Sequence, residues 1–275
     1  MQRRPFDLVL VLASALVVVF VVLPLLAIFL RISPVELFSQ LGNPAAVDAL
    51  VVSLKTSLLA HLFIVGLGTP AAYFLATRRF RGRPLVLTLI ELPLVLPPAV
   101  AGIALLAAFG RRGLLGGTLG LLGVSIPFTQ AAVVLAVILV ASPLYLRASI
   151  AAFEAVDPNL LDAARTLGAG PARRFRRVAL PLAAGGLGAG STLAFARGLG
   201  EFGATIMFAG SLQGRTQTLP LMIYAQLDQD FDVALAVGAL LVLVSLAVLL
   251  AAKFIPSWTS FTSIWPTRSA RSTSS

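Results

Sequence analysis

The sequence predicts an all-α integral membrane protein with about six transmembrane helices. Hydrophobic residues make up 58% of the 275-residue chain and charged residues only 12%, with a mean hydropathy of +0.97. Soluble domains run near ~45–50% apolar and ~25% charged. Apolar runs of about 20 residues recur along the chain, each long enough to cross a hydrocarbon core of about 30 Å as a helix. None alternates with the period of a membrane-barrel strand. Lipid offers backbone N–H and C=O groups no partner, so these runs must close their hydrogen bonds as helices.

The expected spans are 7–31, 49–77, 85–109, 128–147, 183–209 and 233–254. The first follows Arg3 and Arg4; it is too long for a signal-peptide core and lacks a small-residue cleavage site, so it reads as a retained helix. The second ends at the basic cluster Arg78, Arg79, Arg81 and Arg83. The third contains Pro93, Pro97 and Pro98, which remove helical donors and should kink or break it. Such a break is tolerated only beside protein or a wet cavity, which makes these prolines candidates for a gate. Glu91, one turn earlier, is assigned packing or an interface and no chemistry. The fourth span ends at Arg147. The fifth carries Gly186, Gly190, Ala194 and Gly198 at every fourth position, a narrow stripe that lets another backbone approach closely. Two readings of Gly190 and Gly198 stand, packing and a helix that lines a pathway. Arg197 and Glu201, four apart on that span, share a helix face and are either a structural ion pair or part of the path. The sixth span is uninterrupted. Residues 1–256 read as one membrane domain, with a loop at 148–182 and another at 210–232 long enough to hold structure and partners. The Ser- and Thr-rich stretch 257–275 reads as a poorly ordered tail.

Charge sets the orientation. With both termini cytoplasmic, fifteen Lys and Arg lie inside and five outside, Arg197 being within a span. This distribution satisfies the positive-inside rule, although Arg111 and Arg112 oppose it. It also accounts for the net charge of +10 as topogenic charge next to anionic lipid, with no need for nucleic acid. There is no cysteine, which excludes disulfides and thiolate chemistry. Neither Lys55 nor Lys253 follows a glycine, so no phosphate-binding Gly-Lys-Ser/Thr loop exists, and ATP would have to be hydrolysed by another polypeptide. Asp228, Asp230 and Asp232 have the opening spacing of a calcium loop, but Val233 and Ala239 replace its glycine and glutamate. His61 stands alone and makes no metal site.

The loop at 148–182 contains a short punctuated helix. Asp157 suits the N-cap, Pro158 the first position and Gly168 the left-handed position past the end. Leu160, Ala164 and Leu167 then form an apolar stripe that needs a groove on something else. Gly170 and Pro171 open a second short helix bearing Arg173, Arg174, Arg176 and Arg177. The run Asp162-Ala163-Ala164, then Gly168, Val178 and Leu180-Pro181, resembles the EAA motif of the permease subunits of ABC importers. Asp162 stands for the usual Glu and Val178 for the usual Ile. The segments Glu91–Gly116 and Ala196–Tyr224 look like the molybdate permeases of that family, and sulfate and tungstate permeases share the general pattern.

The resemblance implies a type I (MetI-like) permease architecture in the bacterial or archaeal inner membrane. It implies that the helix at 158–167 is the coupling helix, with Leu160, Asp162, Ala163, Ala164, Leu167 and Gly168 at the ATPase contact. It further implies a homodimer, two ATP-binding subunits that hold ATP and magnesium, and an extracytoplasmic oxyanion-binding protein. No cofactor is expected on this chain and no catalysis by it. An ion-coupled secondary transporter and a membrane scaffold are the rival readings; few buried charges, no evident inverted repeat and an otherwise unexplained docking helix count against the first.

Overall fold

The computed structural model describes residues 3–254, and the tail expected at 257–275 lies outside them. Among the described residues every regular element is helical. Among the described residues five helices are long and apolar enough to span a membrane, covering 6–31, 44–77, 130–154, 171–199 and 231–251, and a bent pair at 83–95 and 98–109 makes a sixth if it is one broken span. The described residues divide into two compact units, 3–54 with 210–244, and 55–209 with 245–254.

The first unit holds α1 (Arg3–Arg31), α2 (Pro34–Leu41), the start of α3 (Pro44–Thr77), α12 (Leu219–Gln226) and most of α13 (Phe231–Phe254). No residue in the most apolar stretch of α1 is buried, so lipid or another chain must cover it. Local hydrogen bonds set the helix ends. Ser33 and Glu36 form a reciprocal capping box at α2, with bonds of 3.1 and 3.0 Å. Asn43 caps α3 by accepting from Ala45 N. Asp230 caps α13 by accepting from the amides of Asp232 and Val233. The amide of Leu219 donates to Ser53 Oγ at 2.8 Å, fixing α12 on α3 above a core of Ala46, Ala49, Leu219, Met222 and Val237.

The second unit is built on α7 (Gln130–Glu154), which carries two cores. One joins it to α3 and to α10 (Leu180–Leu199); the other joins its start to α5 (Pro98–Phe109) and α11 (Gly203–Ala209). The glycine stripe explains the closest seam. A Cβ on Gly186 would stand 2.5 Å from Ala152 Cβ, one on Gly190 2.6 Å from Ala148 Cβ, and one on Gly198 2.8 Å from Val137 Cγ1. The stripe therefore faces α7 of the same chain, as the packing reading expects.

Three expected boundaries move. α7 runs past Arg147 to Glu154, because Arg147 is paired rather than seeking the lipid surface. The short helix expected at 171 is instead the start of the fifth span: α9 (Pro171–Arg174) passes through a π-helical turn, Phe175–Ala179, directly into α10. The connection expected at 148–182 thus shrinks to 155–170. The fifth span itself stops at Leu199 rather than 209, and α11 is a separate helix after a break at 200–202.

Candidate functional site

Two places in the second unit gather the residues that the sequence singles out. The first is α8 (Pro158–Thr166). Asp157 accepts from the amide of Asn159 at 2.9 Å, and Pro158 occupies the first position, where its missing N–H costs nothing. At the other end Gly168 has φ +79°, its amide donates to Arg165 O, and Ala169 N donates to Ala164 O. These two bonds close a Schellman motif, and they hold the chain in a conformation that a Cβ disfavours. Leu161 turns inward against the core. Leu160 and Leu167 turn outward, 47% and 86% exposed, with Ala164 half-buried between them and Asp162 and Ala163 exposed. The helix is held rigidly from one side and offers an apolar stripe on the other.

The second place is the broken span. α4 (Arg83–Val95) stops at Leu96, α5 restarts at Pro98, and their axes bend by 117°. Pro97 and Pro98 lack the amides that continuation would need, and Leu96 is extended at ψ 138°. A small cavity of about 120 Å³ opens at this break, lined by Pro93, Leu94, Leu96, Pro98, Val140 and Arg197. Gly203 packs directly on the restart at Pro98, since a Cβ there would stand 2.6 Å from Pro98 Cβ. Arg197 Nη1 pairs with Glu201 Oε2 at 2.9 Å. Glu201, expected on the same helix as Arg197, lies in the break after α10, and its other oxygen accepts from Ala204 N at 2.8 Å, capping α11. The carboxylate is 1% exposed and Arg197 36%, so the pair presents its cation to the cavity and hides its anion.

The structure thus brings Pro93, Pro98, Arg197 and Glu201 together, with Pro97 at the corner and Gly198 behind in the seam. Gly190 lies two turns away along that seam. Sequence reasoning missed two ion pairs. Arg83, bonded also to Leu75 O, reaches Glu154 and ties the base of α4 to the end of α7. Arg147 Nε lies 3.2 Å from Glu91 Oε1. A carboxylate inside an apolar run was the available signal at Glu91. His61 Nε2 lies 2.7 Å from Ser191 Oγ, joining α3 to α10, and its ring meets Phe195 edge-on.

Residues 64–260 match the model of the family described as binding-protein-dependent transport system inner membrane components. The chain is 47% identical over 233 residues to the molybdenum transport system permease protein ModB of Mycobacterium tuberculosis, covering 85% of this chain and 88% of that one. It is 33% identical over 245 residues to the sulfate transport system permease protein CysT of Salmonella typhimurium, covering 88% of each. Among solved structures, a bacterial ABC transporter that imports the acidic polysaccharide alginate has a chain of the same fold, with a TM-score of 0.73 at 17% identity over 91% of this chain and 95% of that one.

Proposed function

The chain belongs to the family of inner membrane components of binding-protein-dependent transport systems, and on that premise we propose that it is the permease subunit of an ATP-driven importer of tetrahedral oxyanions, with molybdate or tungstate as cargo. The anion rests on the higher identity to a molybdenum permease than to a sulfate permease over similar coverage. Sulfate is the alternative cargo. Catalysis belongs to a partner: two copies of this chain form the path, two ATP-binding subunits hold ATP and magnesium, and a loaded extracytoplasmic binding protein docks on the far side. The basic clusters at 78–83 and 173–177 support cytoplasmic termini.

α8 carries the mechanical part of this reading. It is a capped helix whose outward stripe leaves Leu160 and Leu167 exposed, with Ala164 half-buried between them, among the described residues. A groove on the ATP-binding subunit covers that stripe, with Asp162, Ala163 and Gly168 shaping the contact. Because α8 lies against the π-turn that opens α9–α10, a shift of α8 moves the foot of α10. Its other end holds Arg197, and the seam at Gly190 and Gly198 is the surface along which it would slide. Nucleotide binding then favours one arrangement of the break at Pro93, Pro97 and Pro98, and hydrolysis restores the other, a population shift between two states.

Ala164→Asp tests this directly. The charge would have to enter the apolar contact, where an unpaired buried charge costs several kcal/mol in rough terms. The substitution touches no span, so membrane levels stay normal while copurification of the ATP-binding subunit and uptake are lost. Normal copurification and uptake would remove α8 as the coupling element.

A further inference from the structure

The broken span carries a second charged pair that coupling does not use. Arg147 and Glu91 are 61% and 43% exposed, yet neither sits at a helix end. Arg147 lies seven residues before the end of α7, about 10 Å of helix. On a membrane-spanning helix, a charge two turns in from the end is expected to face a bundle interior or a wet path rather than hydrocarbon. Val140 and Arg147, also seven residues apart, lie on one face of α7. Val140 lines the cavity that Arg197 enters, and Arg147 meets Glu91 on α4, two residues before Pro93 in that same lining. Arg147 therefore lies about 10 Å along α7 from Val140, the residue that shares the cavity lining with Arg197. Each arginine is balanced by a carboxylate: Arg147 engages it through Nε and Arg197 through Nη1. Among the described residues, those are the contacts that the two guanidinium groups make.

We propose that Arg147 and Arg197 are successive contacts for the oxyanion in the membrane, Arg147 exchanging Glu91 for the passing substrate and Arg197 binding it through its remaining donors while it keeps Glu201. The proposal rests on the oxyanion reading above. A guanidinium offers planar paired donors that match two oxygens of a tetrahedral anion, and the free donors on each arginine are available for that. The resident glutamates keep the empty path neutral, and at Arg147 the substrate competes with Glu91, which favours its release. The two steps differ. Glu91, exposed, can return to water when displaced. Glu201 stays anchored by the Ala204 amide in a buried position, which makes Arg197 the more tightly held of the two. The cavity at Arg197, about 120 Å³, is well above the ~10–15 Å³ that holds one water, which leaves room for a small anion.

The test uses the full complex in proteoliposomes with radiolabelled molybdate on its binding protein, and reads anions accumulated per ATP hydrolysed. Arg147→Gln is expected to lower that ratio at least about tenfold, and Glu91→Gln less than about threefold. Arg197→Lys keeps a cation beside Glu201 but loses the fork, and is expected to lower it at least about threefold. If Arg147→Gln fails to assemble, Arg147→Lys takes its place with the same expected threefold loss. Equal losses from Arg147→Gln and Glu91→Gln would make the pair a helix clamp and overturn the proposal. Ratios unchanged within about twofold in both arginine variants would do so as well. The unaltered complex is measured first: failure to accumulate molybdate, tungstate or sulfate would instead overturn the oxyanion reading on which the proposal rests.

Discussion

Removing the Arg197 side chain should expose how much the buried half of its pair depends on it. Glu201 is 1% exposed; one oxygen holds the amide of Ala204 at 2.8 Å and the other faces Arg197 Nη1 at 2.9 Å. In Arg197→Leu the carboxylate keeps one amide and loses its only cation among the described residues, and breaking a buried pair from one side costs about 3–5 kcal/mol. Glu201→Gln is milder. Its amide oxygen still caps α11, and Arg197, partly exposed to the cavity, returns to water, for a cost of about 1 kcal/mol. The double variant Arg197→Leu/Glu201→Gln contains no orphaned charge, so it should be more stable than Arg197→Leu alone by about 2–3 kcal/mol, which with the single Glu201→Gln cost makes a coupling of about 3–4 kcal/mol in the double-mutant cycle. Unfolding titrations in mixed micelles supply the four stabilities. A loss below about 1 kcal/mol in Arg197→Leu, or no recovery in the double variant, would refute the argument that Glu201 is held as a buried anion.

Other substitutions probe the seam, the cap and the orientation. Gly190→Leu places a Cβ 2.6 Å from Ala148 Cβ, so α10 and α7 must part by most of an ångström; the same titrations should show a loss of about 1–3 kcal/mol. At Gly168 an added Cβ meets no neighbour within 4 Å among the described residues, so the main penalty of Gly168→Val is the φ of +79°, roughly 1–2 kcal/mol. Gly168→Asn, which tolerates that conformation, should retain uptake where Gly168→Val loses it. For orientation, single cysteines at Ser39 and Gln213 should react with an impermeant maleimide from outside in intact cells, and one at Ala172 should not; the reverse pattern would invert the proposed topology.

What could be read from the chain followed from local rules. The ends of α8 obey capping preferences that involve only Asp157, Pro158 and Gly168, so three residues sufficed to place them. The glycine stripe carried its own meaning because a four-residue repeat is a property of one helix face. The misplaced boundaries arose where distant groups altered the local signal. Arg147 resembles a membrane-edge charge until Glu91, far away in sequence, neutralises it and lets α7 continue. The apolar run after Leu199 resembles more of the same helix, yet Glu201 turns its carboxylate onto the amide of Ala204 and starts a new one. The prolines at 93–98 announced a bend, but its size of 117° depends on the packing of α5 against α11, where Gly102 and Gly203 permit contact. The capping box at Ser33 and Glu36 was legible and passed over, because the hydropathy signal nearby dominates.

The most direct test of the whole account is uptake by proteoliposomes containing two copies of this chain and its ATP-binding subunits, supplied with binding protein loaded with molybdate, tungstate or sulfate. ATP-dependent accumulation of molybdate or tungstate, with little sulfate at matched occupancy and none in complexes carrying Ala164→Asp, is the expected result. Equal sulfate accumulation would contradict the choice of cargo, and accumulation that persists without the ATP-binding subunits would contradict the importer itself.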